Sequence, residues 1–394
     1  MSSEGSDPVT PAGLDRRTFL THAVTLGSAL SLGGLADRVL AREPPPWGGE
    51  RLSDLVFAAE PTDPLGTQIA SGLDARLYTD LAKVSSDRRI TPVDEFFIRT
   101  EVPDQLDPSR PWRVALDGRV KAPKQLEVDS LVQRAEPMGI HLIECAGNSR
   151  ATRFGLMSTA EWSGVPWSKL LAEVEPLPTA KAVRIVGFDE HSKPSTNSQA
   201  GCSWIFRLDE LQETGAFLAT HMNGQRLTPE HGYPVRLVVP GWYGCCCIKW
   251  VERIEWVDGD QPATSQMREF AARTHQDGVP ERAADYQPAV IDRAAMPIRV
   301  ERWRVDDSIR YRVVGIEWGK DRSRGNLQIR FLPGGTFEKV AEPPAPVDGG
   351  WSVWTHPWTP AAPGRYLIQL AVDDPAVSMR RVGFGMYLRG VVIS

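Results

Sequence analysis

The residues His141-Leu142-Ile143-Glu144-Cys145-Ala146-Gly147-Asn148-Ser149-Arg150 constrain this chain more than any other stretch. An apolar strand runs here into a tight, glycine-bearing loop, with a cysteine at the junction and an arginine five positions later. A thiolate so placed suits a soft or high-valent metal, and a nearby guanidinium suits an oxyanion. The plainer alternative is a structural cysteine packed before a turn, because free cysteines are among the most buried side chains. Segments further along the chain weigh toward the metal.

The totals exclude several classes. A chain of 394 residues has room for two domains with ample cores. A net charge of -5 argues against a general nucleic-acid binder, which needs a basic face. The 32 prolines and 13 tryptophans predict many loops and aromatic packing in place of long helices. Five cysteines are too few for a disulfide scaffold, and no C-x-x-C-H attaches a c-type haem. Cys245, Cys246 and Cys247 are contiguous and lack the spacing of zinc ligands.

Residues 1–41 read as a targeting segment, with the pair Arg16-Arg17, an apolar run from Ala23 to Leu35, and an A-x-A-like site at Val39-Leu40-Ala41. That is the layout of a twin-arginine signal, which implies a periplasmic or otherwise exported protein. The apolar run is shorter than the roughly 20 residues that span a bilayer, so no stable membrane span is expected.

Beyond it come a Pro/Gly-rich lead-in and a short helix near Asp74–Lys83. Strands are expected at 96–100, 112–116, 183–188 and 254–257, with helices over 126–134 and from Trp167 through Val174. Asn223-Gly224 marks a hairpin, and 231–241 reads as a buried strand bracketed by prolines. Charged and small residues over 258–290 mark a domain connection. Short strands then recur at 298–304, 309–316, 326–331, 351–355, 365–371 and 384–392, the pattern of an immunoglobulin-type β-sandwich.

His231 and Arg236 bracket the bend Gly232-Tyr233-Pro234, and Lys249 would arrive from a neighbouring strand. Three donors around one point suit a phosphate, although singly Arg236 and Lys249 also read as solvent-facing strand residues. Taken together, Cys145-Ala-Gly-Asn-x-Arg150 and His231-Gly-Tyr-Pro-Val-Arg236…Ile248-Lys249-Trp250 resemble the sulfite oxidase family of molybdopterin enzymes.

The resemblance implies an α+β fold: a mixed α/β molybdopterin-binding domain over 42–262, then an immunoglobulin-like dimerisation domain over 263–394. It implies Cys145 as the sole protein ligand to molybdenum, with His231, Arg236 and Lys249 gripping the pterin phosphate. It places Phe97 at the cofactor, and Arg99 and Arg150 at the substrate. The family's Asn-His pair after Arg99 is Thr100-Glu101 here, and its Gly-Ala-Arg before the Lys-Trp pair is Gly244-Cys245-Cys246-Cys247. Its substrate-side tyrosine has no counterpart; Cys202 or Trp204 stands nearby. The remaining cysteines read as small buried hydrophobes or as a redox pair.

The implied enzyme is an exported homodimer that oxidises sulfite or a related small oxyanion with water. It would pass electrons to a separate c-type cytochrome or other acceptor. Reduction of an S- or N-oxide at the same cofactor, and a metal-free exported binding protein, are the alternatives.

Overall fold

The computed structural model describes residues 45–394 other than 108, 197, 323–326, 343–348, 375–376 and 378–386; the expected twin-arginine segment lies outside the described residues. Four sheets, joined by short helices and 3₁₀ turns, carry the chain. One five-stranded sheet orders Arg236–Val238, Phe217–Met222, Met157–Pro166 and Glu136–Glu144, with Gln225–Arg226 beside Phe217–Met222; every pairing is antiparallel. The other orders Lys124–Glu127, Arg113–Gly118, Val251–Val257, Ala182–Gly187 and Ser203–Arg207. Its one parallel pairing sets Val251–Val257 against Arg113–Gly118. Alternation explains the strands: Val183 and Ile185 are buried, while Arg184 pairs with Glu255 across the sheet. Asn223 and Gly224 take positive φ (51° and 75°), as a tight hairpin turn requires.

The rest of the chain forms two four-stranded antiparallel sheets. One joins Glu50–Leu55, Ala294–Val305, Ser308–Trp318 and Ser352–Trp358; the other joins Glu338–Lys339, Leu327–Leu332, Gly364–Val372 and Arg389–Ile393. Phe331 of the second stacks on Trp358 of the first at 4.4 Å, and Trp358 meets Tyr366 edge-on at 5.1 Å. The lead-in strand Glu50–Leu55 thus pairs with a strand far along the chain. Further ties reach the Cys145 strand itself: Leu142 N–H donates to the Gly349 carbonyl (2.6 Å), and Trp318 Nε1 donates to Glu144 (2.8 Å).

Four expected elements differ. Residues 96–100 are not a strand: a 3₁₀ turn, Val93–Glu95, precedes them, and only Leu77 and Ile98 bridge. Phe96 and Phe97 are both buried and stack at 5.4 Å, whereas a strand would send neighbours to opposite faces. The helix near Asp74–Lys83 is two 3₁₀ turns, Gly72–Asp74 and Leu81–Lys83. Between them the backbone bonds outward, to Ile69, Ile98 and Gly155. Leu126 and Glu127 end a strand, so the helix begins at Val128 with Glu127 as its cap. In 231–241 only Arg236–Val238 is strand, because the 3₁₀ turn Pro229–His231 and Gly232 at φ 101° bend the chain first.

Candidate active site

Cys145 follows the Glu136–Glu144 strand, whose last three residues are buried. Its N–H donates to the Leu156 carbonyl (2.9 Å), and Asn148 N–H donates back to the Cys145 carbonyl (2.9 Å), closing the turn. Asn148 is buried and pins both sides: its Oδ1 accepts from Leu156 N–H (3.1 Å), and its amide donates to Glu144 (3.2 Å). Gly147 N–H donates to Cys145 Sγ (3.3 Å). The sulfur therefore has a fixed position and one donor. Burial pushes its pKa up against the pull of Arg99, the Gly147 amide and Arg273. A bound cation is what would hold it as thiolate.

Cys145 lines a cleft of ≈ 880 Å³, counted out to its open mouth, together with Phe97, Arg99, His231, Arg236 and Lys249. Six of the seven residues singled out from the sequence thus meet. Phe97 is set by its N–H to Ser158 Oγ (3.0 Å), and Arg99 by bonds to Ser198 Oγ (2.9 Å) and the Leu73 carbonyl (3.3 Å).

At the other end of the cleft, Gly232 brings three nitrogen groups together. A Cβ there would stand 3.0 Å from Arg236 Cβ and 3.2 Å from Lys249 Cβ. His231 donates Nε2–H to the Val93 carbonyl (3.0 Å) and is kept neutral, its pKa brought down to about 3 by burial and by Arg236 and Lys249. Arg236 donates to the carbonyls of His231 (3.1 Å) and Cys247 (3.2 Å), and its Nε is buried with no partner. Lys249 donates to the carbonyls of Thr100 (2.6 Å) and Glu230 (2.9 Å), and burial, helped by Arg236, lowers it to about 7. An orphaned Nε beside a depressed ammonium is a site short of an anion. A phosphate fits it.

Arg150 stands apart from the other six. It is exposed, donates to the Leu388 carbonyl and does not line the cleft. The 3₁₀ turn Arg150–Thr152 begins directly after the Asn148 lock and carries the chain outward.

Two arginines that the sequence did not single out interact electrostatically with the sulfur. Arg76 donates to the carbonyls of Leu73, Ala75 and Arg99 (3.0, 2.7 and 3.1 Å), and burial plus the Arg99 charge lower it to about 10. The Cys145 thiolate, when formed, favours its charged form. Arg273 brings Nη1 to 3.1 Å from the point a Cβ on Gly147 would occupy, and Cys145 Sγ is 3.7 Å from that same point. Arg273 follows the helix Ser265–Phe270, inside the stretch expected to be a domain connection. The signal that could have found the helix is Thr264, whose Oγ1 caps it by accepting from Met267 N–H (3.2 Å). Nothing local marks Arg76.

All five cysteines are free. Cys202, Cys245 and Cys247 also line the cleft, and Cys245 Sγ stands 4.0 Å from Cys246 Sγ, well beyond the roughly 2.05 Å of a disulfide. Burial, reinforced by Asp189, pushes Cys202 up to about 12. Where the sequence left Cys202 or Trp204 for the missing tyrosine, Cys202 faces this cleft and Trp204 meets Tyr286 edge-on at 6.3 Å. Among the described residues no cluster of three or more His, Cys, Asp or Glu can hold a metal ion.

Residues 99–265 match the family model of the oxidoreductase molybdopterin binding domain. The chain is 30% identical over 276 residues to the protein-methionine-sulfoxide reductase catalytic subunit MsrP of Ralstonia nicotianae, across 65% of this chain and 73% of that one. It is 33% identical over 161 residues to the NADPH nitrate reductase of Beauveria bassiana, across 38% of this chain and 18% of that protein. The sulfane dehydrogenase SoxCD of Paracoccus pantotrophus shares the fold, with a TM-score of 0.60 and 20% identity over 85% of this chain and 88% of that one.

Proposed function

Because the chain belongs to the sulfite oxidase family of molybdopterin-dependent oxidoreductases, we propose that it oxidises sulfite or a related sulfur oxyanion. The substrate gains one oxygen from water and releases two protons and two electrons. The bound molybdenum–pterin group supplies the oxygen-atom and two-electron chemistry. The chain's residues supply position and field. Cys145 would hold the metal; His231, Arg236 and Lys249 would hold the pterin phosphate, with Phe97 packing along the cofactor. Arg99, fixed by Ser198 and Leu73, would face the oxyanion and offset its charge.

The observation that carries this reading is the convergence on one cleft of the Cys145 sulfur and an anion-poor trio with an orphaned Arg236 Nε. In the same reading residues 1–41 direct export, 42–262 bind the cofactor, and an immunoglobulin-like 263–394 pairs two copies. A separate c-type cytochrome takes the electrons. Among the described residues no helix is long and apolar enough to cross a membrane.

The similarity to a sulfoxide reductase favours a second reading, reduction of an S- or N-oxide at the same site. Protein from a cofactor-competent host decides: near-stoichiometric molybdenum, with turnover of sulfite by ferricyanide or a cytochrome, is expected. Turnover only of a sulfoxide with reduced viologen overturns the first reading in favour of the second. Absence of molybdenum overturns both in favour of a binding protein.

A further inference from the structure

We infer that Arg273 is the second guanidinium of the substrate seat, and that it, in place of Arg150, decides the preference for a tetrahedral or pyramidal oxyanion over a neutral oxide. This rests on the reading of Cys145 as the metal-holding thiol.

The geometry is local and specific. Gly147 is the residue whose amide touches the Cys145 sulfur, at 3.3 Å. A methyl group added there would lie 3.1 Å from Arg273 Nη1 and 3.7 Å from that sulfur, so the guanidinium and the thiol face the same small volume. The backbone comes that close because position 147 has no side chain. Arg273 is otherwise uncommitted. It is exposed, and among the described residues no carboxylate lies within ion-pair distance of it, Glu269 one turn earlier included. The Phe270 ring, 5.6 Å from Cζ, steadies the guanidinium without neutralising it.

The neighbouring charges add to the case. Arg99 faces the same thiol from the cleft, and Arg76 lies against Arg99, donating to its carbonyl (3.1 Å). Like charges gathered at one point repel one another unless an anion joins them. Arg76 is tied up by three carbonyls, whereas Arg273 keeps its donors open to solvent. Arg273, like Arg150, lies outside the residues lining the cleft, but it reaches the thiol from the Gly147 side; an oxyanion at that sulfur would meet it there, and a planar guanidinium can hold two of its oxygens at once.

The test uses molybdenum-replete enzyme with sulfate, a non-reacting oxyanion, as the probe. Calorimetry gives its dissociation constant in the wild type and in Arg273→Gln, Arg273→Lys and Arg150→Gln. Loss of one charge-assisted contact weakens sulfate about 10- to 100-fold in Arg273→Gln. The lysine variant recovers part of that loss, and Arg150→Gln retains wild-type affinity. In turnover KM for the oxyanion rises with kcat little changed, and KM for a neutral sulfoxide stays put. A loss below about threefold in Arg273→Gln, a larger loss in Arg150→Gln, or a wild type that binds no sulfate overturns the inference. Sulfate held through Arg273 by an enzyme that does not oxidise sulfite keeps this inference and overturns the proposed function.

Discussion

Replacing Lys249 by methionine removes a charge that the cleft disfavours until a phosphate is bound. Burial and Arg236 bring Lys249 from its ordinary 10.5 down to about 7. At about 1.4 kcal/mol per pH unit the gap is worth roughly 5 kcal/mol, an upper figure because the side chain keeps part of its exposure. The folded value lies below the unfolded one, so between pH 7 and 10.5 the unfolded chain holds the extra proton. The penalty in cofactor-free protein is therefore full below pH 7, shrinks across that window and is gone above 10.5. Methionine carries no such penalty. Buried thiols such as Cys202, raised from 9 to about 12 by burial, tilt stability the other way only above pH 9, the top of the range tested. Urea unfolding at about pH 6, 7.5 and 9 measures it, on protein from a host that cannot make the cofactor. The variant should lead by about 2–4 kcal/mol at the lowest pH, with the lead falling steadily toward the highest. In a cofactor-competent host the same variant should retain at least about tenfold less molybdenum, since the phosphate has lost a charged donor. A stability difference that ignores pH, or undiminished molybdenum, refutes the reasoning.

Cys145→Ser should lose turnover by at least about a hundredfold and lose molybdenum, while near-isosteric replacement keeps its unfolding free energy within about 1.5 kcal/mol. Metal analysis and chemical denaturation check the two halves. Glu301 is wholly buried and accepts from Arg299 and Arg312 (2.8 Å each) and from Trp303 Nε1 (3.1 Å). Glu301→Gln should cost about 3–5 kcal/mol, because two buried guanidinium groups lose their counter-charge. Burial raises this carboxyl, but the two arginines outweigh burial and hold it below its ordinary value. Its contribution is thus present at neutral pH and lost as pH falls through that lowered value, so the variant's deficit should narrow in acid denaturation. Gly349→Ala should cost more than about 3 kcal/mol and loosen the site: the residue has φ 74°, and an added Cβ would stand 1.6 Å from the Ile140 carbonyl oxygen. Hydrogen exchange at Leu142, whose N–H donates to Gly349, reads that loosening directly.

Most of the residues that meet in the cleft were legible in the sequence, and the arginines that reach the thiol from elsewhere were not, for a physical reason. Cys145, His231, Arg236 and Lys249 are set by short stretches in which the backbone itself does the aiming: a strand end, a bend at Gly232, a strand start. Residue spacing therefore determines where their side chains go. The Asn223-Gly224 hairpin and most strands after 290 were legible on the same ground, since alternation and turn chemistry are local rules. Residues 74–83 and 96–100 failed because bonds to distant partners, Gly155 among them, override local preference. Arg76 and Arg273 lie outside every motif and reach Cys145 only through the tertiary arrangement, from a turn before it and a helix end long after it. Arg150, inside the motif, is the converse case: it is near Cys145 in sequence, but the turn that starts there leads its side chain to the Leu388 carbonyl. A motif therefore fixes what the chain holds by its backbone. On the proposed reading, what the chain would recognise beside that sulfur depends on side chains that the fold brings in from elsewhere.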